Sequence, residues 1–255
     1  HPEFSGFVFK IQANMDPNHR DRVAFIRVVS GKFERDMIVS HARTGRKIRL
    51  SNASRLFGAD RITVDTAYPG DVVGIVGNGN FAIGDTVSVE PGLVYDEIPY
   101  FAPECFAYFE GKSTAEAKRF RTGMDQLLQE GVAQEYELPD SVRRVRLLGA
   151  AGPLQFEVVQ YRLESEYGAR TRWDLAPWIQ TRWLDPSYPI HELPQQRGVQ
   201  RAVDARNRPV LLFTEDWSRR YFEERNPTVP LSAYPYDYAP LSGSAAASAG
   251  SEAAN

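Results

Sequence analysis

Lys112-Ser113 has the residue pair that closes a phosphate-binding loop. Such a loop needs an earlier glycine turn at a helix start, so that backbone amides and the ammonium surround the phosphates together. Phe106 stands where that glycine is required, so the match fails and the pair reads as a polar helix N-terminus. Gly149, Ala150, Ala151, Gly152 and Pro153 also lie between an expected strand and an expected helix. A helix start can hold an anion, but no lysine follows, Pro153 removes one amide donor, and the spacing fits no dinucleotide fingerprint. We read it as a structural turn. His1, His19, His41 and His191 pair at no metal-ligand spacing and are expected at the surface. Cys105, alone in the chain, rules out an internal disulfide and a cysteine zinc site; inside an expected strand it reads as a buried, inert thiol. Glu34 with Asp36, and Glu223 with Glu224, read as solvated carboxylates. No nucleophile with a base, no metal cluster and no nucleotide loop emerges, so the catalytic, cofactor and metal assignments are all none.

What does stand out is charge placement. Residues 16–61 hold eleven basic side chains (Arg20, Arg22, Arg27, Lys32, Arg35, Arg43, Arg46, Lys47, Arg49, Arg55, Arg61) and five acidic ones, a balance of 11 − 5 = +6 against −3 for the whole chain. Arg43, Arg46, Lys47 and Arg49 straddle an expected hairpin turn. A basic hairpin tip can reach a phosphate backbone without reading sequence, and these four are the candidate RNA contacts. A solvated hairpin with incidental arginines is the plainer alternative.

The elements that must carry these residues follow from periodicity. Phe7, Phe9 and Ile11 alternate in a strand over residues 4–12, and residues 22–30 form a β-branched second strand after a polar loop at 14–21. Met37–Val39, Lys47–Leu50, Arg61–Val64, Asp71–Val76 and Asp85–Val89 continue as short strands between turn residues, the pattern of a small β-barrel over residues 1–95. After Pro103 the pattern changes. A strand at Cys105–Phe109 precedes a helix over 114–130, capped by Thr114, stopped by Gly131, with Ala117, Phe120, Met124, Leu127 and Leu128 on its apolar face. Strands at Ala133–Leu138 and Arg143–Leu148 lead to a helix over 153–167 that uses Leu154, Phe156, Val158, Val159 and Leu163, and a strand at Ala169–Leu175 completes βαββαβ, a ferredoxin-like α+β domain over 96–176. Residues 177–240 form an extension packed on that domain: a strand at Trp178–Trp183, a helix-like Val199–Ala205, a strand at Pro209–Phe213 and a helix over 215–225. The Ser/Ala/Gly-rich stretch 241–255 is expected to be disordered.

Hydrophobic residues at 42% and charged residues at 25% are ordinary for a folded domain, and a net charge of −3 excludes a generic polyanion binder. No apolar run nears the roughly 20 residues of a membrane span, and no signal peptide is visible; the expected setting is cytoplasmic, with no membrane partner. The chain opens His1-Pro2-Glu3-Phe4 without an initiator Met, which reads as a truncated or processed product.

Several strings carry a resemblance. Phe4–Pro17 (FSGFVFKIQANMDP), His19–Phe33 (HRDRVAFIRVVSGKF), and YPGDVVG at 68–74 with IGDT at 83–86 resemble the second domain of translational GTPases, and the first two are most similar to the peptide chain release factor 3 family. Ile98–Phe106 (IPYFAPECF), Gly149–Val159 (GAAGPLQFEVV) and Ser165-Glu166-Tyr167 look like the third domain of that family. The resemblance implies the C-terminal domains of a GTPase whose nucleotide domain is missing here, so that GTP and magnesium belong to that missing domain and this chain has no cofactor of its own and is not an enzyme. It further implies a ribosome-binding part that promotes release-factor recycling in translation termination. Its partners would be small-subunit ribosomal RNA, ribosomal protein, the GTPase domain of the full-length factor and, indirectly, the codon-reading release factors. The rival expectation is a protein-interaction module with no ribosomal role. Pro69-Gly70 and Gly84-Asp85 also set tight turns, so these strings report fold as well as family.

Overall fold

A computed structural model describes residues 2–13, 22–57, 60–77, 81–95, 101–139 and 145–236. The expected loop at 14–21 and the expected tail at 241–255 lie outside them. The chain divides near residue 98 into two compact units.

The first unit is β-strands throughout: β1 (Ser5–Ala13), β2 (Arg22–Ser30), β3 (Phe33–Glu34), β4 (Ile38–His41), β5 (Arg46–Arg49), β6 (Ala53–Phe57), β7 (Asp60–Thr63), β8 (Thr66–Ala67), β9 (Val72–Val76) and β10 (Thr86–Ser88). Eight of them form one antiparallel, barrel-like sheet in the order β5-β4-β10-β1-β2-β9-β6-β7, and β3 pairs with β8 in a second small sheet. Inward residues from successive strands (Val8, Ile11, Ile26, Val28, Val39, Ile75 and Val87 among them) make its core with Phe4 and Phe33. Each such side chain contributes about 1.5–3 kcal/mol on full burial.

The alternation in β1 differs from the simple pattern. The register against β2 slips between Val8 and Lys10, and this bulge reverses which residues point inward. Val8 and Ile11 are buried and Phe9 is exposed, where unbroken alternation places Phe7, Phe9 and Ile11 together.

The second unit contains β11 (Cys105–Gly111), α1 (Ala117–Gln129), β12 (Gln134–Glu137), β13 (Arg146–Ala150), α2 (Leu154–Tyr167), β14 (Thr171–Leu175), β15 (Gln180–Leu184), β16 (Val199–Asp204), β17 (Pro209–Phe213), α3 (Asp216–Arg225) and β18 (Leu231–Ser232). The first four strands lie in the order β14-β11-β13-β12, all antiparallel, which is the ferredoxin-like arrangement. The sheet does not stop there. β12 pairs with β16 through Tyr136↔Asp204 and Glu137↔Val203, and β17, β15 and β18 follow, giving eight strands. Val199–Asp204 is therefore a strand where a helix-like segment is expected. Its run of half-buried and buried residues is ambiguous in isolation, and hydrogen bonds to β12 and β17 on either side settle it as extended.

Both sheet faces are used. Ala107 and Phe109 of β11 point to α1 and α2, joining Met124, Leu127, Phe156, Val159 and Leu163. Phe106 of the same strand points the other way, with Tyr136, Leu147, Trp183, Val210 and Leu212. β17 is buried on both sides, because Leu211 and Phe213 meet Phe222 of α3 in a further cluster. In α2 the buried arc is Phe156, Val159 and Leu163, whereas Leu154 and Val158 are exposed. At 100° per residue Val158 lies on the far side of the helix from Phe156, so those two expected core positions are surface. Ala117, expected on the apolar face of α1, is likewise exposed. Thr114 is not a cap: it opens a short 3-10 turn that follows Ser113, and Ser113 makes no side-chain capping bond. Gly168 ends α2 at φ 61, a left-handed position that a side chain resists.

Candidate nucleic-acid interface

β4 and β5 form the hairpin predicted to carry the basic tip, with Ile38↔Arg49, Val39↔Ile48, Ser40↔Lys47 and His41↔Arg46 opposed. Val39 and His41 point inward and Ile48 packs on the core, so Lys47 and Arg49, one residue out of phase with Ile48, take the outer face. Gly45 turns the chain at φ 65, and its amide donates to the His41 carbonyl at 2.9 Å. The Ala42 amide ties the turn to β10 through the Thr86 carbonyl at 3.0 Å.

Beneath the tip lies a group the sequence does not single out. Asp85 is 2% exposed and accepts from four donors on three neighbours: Arg43 Nε at 2.6 Å, Arg43 Nη2 at 2.9 Å, the Ala82 amide at 2.7 Å and His41 Nε2 at 2.7 Å. Burial alone would raise its pKa, but Arg43, the Ala82 amide and His41 together hold it below the ordinary carboxylate value. His41 is buried, contrary to the surface position expected of it, because it follows Val39 by two residues in β4 and shares its inward face. Its Nδ1 meets the Thr44 hydroxyl at 3.0 Å and its ring lies 5.5 Å from Phe81. The Asp85 carboxylate thus ties the turn to the barrel alongside the Ala42–Thr86 hydrogen bond.

Of the four candidate contacts, Arg43 is committed to Asp85, although half of its side chain stays exposed. Arg46, Lys47 and Arg49 are exposed and carry no side-chain hydrogen bond or ion pair among the described residues. The structure places these three on one strand at the sheet edge. Of the other basic residues in the 16–61 segment, Lys32 pairs with Glu34, and Arg35 with Asp36 and Asp65. Arg20 and the side chains of Arg55 and Arg61 lie outside the described residues. β5 being an edge strand, its charges also oppose edge-to-edge pairing.

Cys105 is partly buried, its Sγ lies 3.4 Å from the Ala150 carbonyl, and burial raises its pKa. Gly152 and Pro153 make the turn into α2, with Pro153 already helical at φ −64. Gly149 and Ala150, expected in that turn, instead complete β13. His191 is exposed, and His1 and His19 lie outside the described residues. Among the described residues no group of three or more His, Cys, Asp or Glu could hold a metal ion, and no helix is long and apolar enough to cross a membrane. What the sequence missed is Asp85. Its only trace is an Asp after a Gly, which a turn alone explains.

Residues 3–90 match the family described as "Elongation factor G domain 2", and residues 95–223 match "Class II release factor RF3, C-terminal domain". The chain is 47% identical over 234 residues to peptide chain release factor 3 of Trichormus variabilis, covering 91% of this chain and 43% of that protein. The same factor from Synechococcus elongatus is 49% identical over 232 residues, covering 91% and 42%. The chain therefore spans about two fifths of the length of these relatives. A solved structure from Thermus thermophilus superposes with a TM-score of 0.58 at 19% identity, over 79% of this chain and 30% of that one, a likeness of fold alone.

Proposed function

This chain belongs to the peptide chain release factor 3 family, and from that premise we propose that it docks on the small ribosomal subunit through the β4–β5 hairpin. One observation carries the reading: Arg46, Lys47 and Arg49 stand exposed on β5, without a side-chain partner among the described residues, next to a turn that Asp85 fixes from below. Fixed cations lose less freedom on meeting phosphates than a mobile loop does. In this reading the hairpin contacts ribosomal RNA, the second unit contacts ribosomal protein, and the whole factor, acting in the cytoplasm, promotes recycling of the codon-reading release factors. GTP and magnesium are handled by a part of the relatives that this chain does not span, and the chain itself turns over no nucleotide.

Co-sedimentation with small subunits across a salt series tests this. Binding should weaken as salt rises, and Arg46→Ala with Lys47→Ala and Arg49→Ala should flatten the salt slope by roughly 0.7–0.9 for each phosphate no longer neutralised. Binding that ignores salt, or a triple variant that pellets like the parent, would refute the hairpin mechanism.

A protein-interaction module is the second reading. Phe9 and Val72, at 39% and 37% exposure, sit on the outer face of the barrel sheet, Phe9 beside half-buried Phe25. Self-association on size exclusion that Phe9→Ser abolishes would favour it, and a clean monomer would count against it.

A further inference from the structure

α3 presents an aromatic ladder that neither unit's core uses. Trp217 and Tyr221, one turn apart, stack with ring centroids 5.0 Å apart and planes 13° from parallel. Arg225, a further turn on, places its guanidinium 5.4 Å from the Tyr221 ring centroid. The buried residues of this helix are Ser218 and Phe222, and the ladder borders that buried face, with Tyr221 half-buried and Trp217 and Arg225 exposed. Trp217 is 58% exposed. Tyr221 stacks on one of its faces, and more than half of the residue remains exposed.

The charges beside it favour an anionic occupant. Arg220 is 61% exposed, and Arg225 makes no ion pair among the described residues. Asp216 and Glu223 are held by Arg219, each at 2.7 Å, and Asp216 also meets Arg220. Of the acidic residues in the helix, only Glu224 is left without a partner among the described residues. A flat π surface with cations along the same helix face suits a base attached to a phosphate. Stacking of this kind is tolerant of base identity and needs the base unpaired.

We infer that the Trp217–Tyr221–Arg225 ladder of α3 is a binding site for an unpaired nucleobase of single-stranded RNA, with the base on the face of Trp217 away from Tyr221 and the adjoining phosphate toward Arg220 or Arg225. The site is built entirely from α3 of the second unit and uses no residue of the β4–β5 hairpin.

Anisotropy of a fluorescein-labelled oligoadenylate tests this on the full chain carrying Arg46→Ala, Lys47→Ala and Arg49→Ala, so that hairpin binding cannot contribute. Adding Trp217→Ala should weaken binding by roughly tenfold. Trp217→Phe should keep most of the affinity, and Arg225→Ala should lower it less than Trp217→Ala does. A duplex of the same length should be insensitive to Trp217, since its bases are stacked inside. Circular dichroism of each variant checks that α3 stays folded. The inference fails if the parent does not bind the oligoadenylate, or if Trp217→Ala binds within twofold of it. It fails equally if a basic peptide, rather than the RNA, proves to be the ligand whose affinity depends on Trp217. None of these results bears on ribosome docking by the hairpin.

Discussion

Asp85 in the first unit is buried and Glu135 in the second half-buried, each beside an arginine, yet their protonation equilibria shift in opposite directions. Asp85 has two hydrogen bonds from Arg43 plus an amide and an imidazole, and it stays ionised more readily than usual. Among the described residues Glu135 meets only Arg146, at 3.3 Å, and shares it with Asp125 at 2.6 Å. Burial pushes its pKa up, Arg146 opposes this only in part, and the nearby charges of Asp125 and Glu137 push it higher. Arg146 Nη1 is buried with no hydrogen-bond partner among the described residues. The difference teaches that an arginine neighbour does not by itself make a partly or fully buried carboxylate comfortable. The number of donors aimed at it decides.

The strongest way to break the comparison is to remove the satisfied carboxylate. Asp85→Ala strands the Ala82 amide and His41 and releases Arg43, and should cost about 3 kcal/mol, the low end for breaking a buried pair because Arg43 can return to water. All four tryptophans lie in the second unit, so tryptophan fluorescence would miss the loss. Faster hydrogen exchange at β4 and β10 amides would reveal it. The pH dependence has a definite sign. A carboxylate whose folded pKa is depressed stabilises fully above its unfolded value, near 3.8, and that contribution fades as pH falls toward the folded value. The gap between parent and Asp85→Ala should therefore be widest at neutral pH and close in acid. A gap that does not narrow at all as pH falls below about 3.8 would mean the loss is one of packing.

Removing the arginine instead should do less. Arg43→Ala leaves Asp85 with the Ala82 amide and His41, and water can enter where the half-exposed guanidinium lay, so about 1.5 kcal/mol is expected. The same variant separates two roles. If Arg43 serves only to hold the tip, its loss should loosen the hairpin in exchange measurements while keeping the salt slope of ribosome binding; a slope that falls with Arg43 would make it a phosphate contact as well.

These two sites also show what the sequence made readable. The basic hairpin was legible because charge excess and turn spacing are local properties, and so were the two packed helices of the ferredoxin-like unit. The Asp85 lock was not, since it joins residues 41, 43 and 85, and nothing in a linear pattern brings β4 beside β10. The bulge in β1 was hidden for the same reason: it is a property of the pairing between two strands. Strand β16 read as helix-like because its pattern acquires meaning only between β12 and β17. Arg43 fell among the exposed candidates because its type and position match its neighbours Arg46 and Lys47, and only the fold tells a committed arginine from the exposed ones.

The smallest expected effect is also the sharpest test of the contrast, because its sign is reversed. For a carboxylate whose folded pKa is raised, the folded state holds its proton more firmly than the unfolded chain. Stability then declines as pH climbs from the ordinary glutamate value, near 4.5, through the raised one. Glu135→Gln removes that liability while leaving Arg146 its shorter ion pair with Asp125. Its thermal midpoint should sit slightly above the parent's at pH 7, and the difference should vanish near pH 4, where the parent's Glu135 is already protonated. Asp85→Asn run beside it should move the midpoint down at pH 7. If both amides move the midpoint the same way, donor number is not what distinguishes the two carboxylates, and the pairing of Glu135 with Arg146 stabilises the sheet much as that of Asp85 with Arg43 stabilises the barrel.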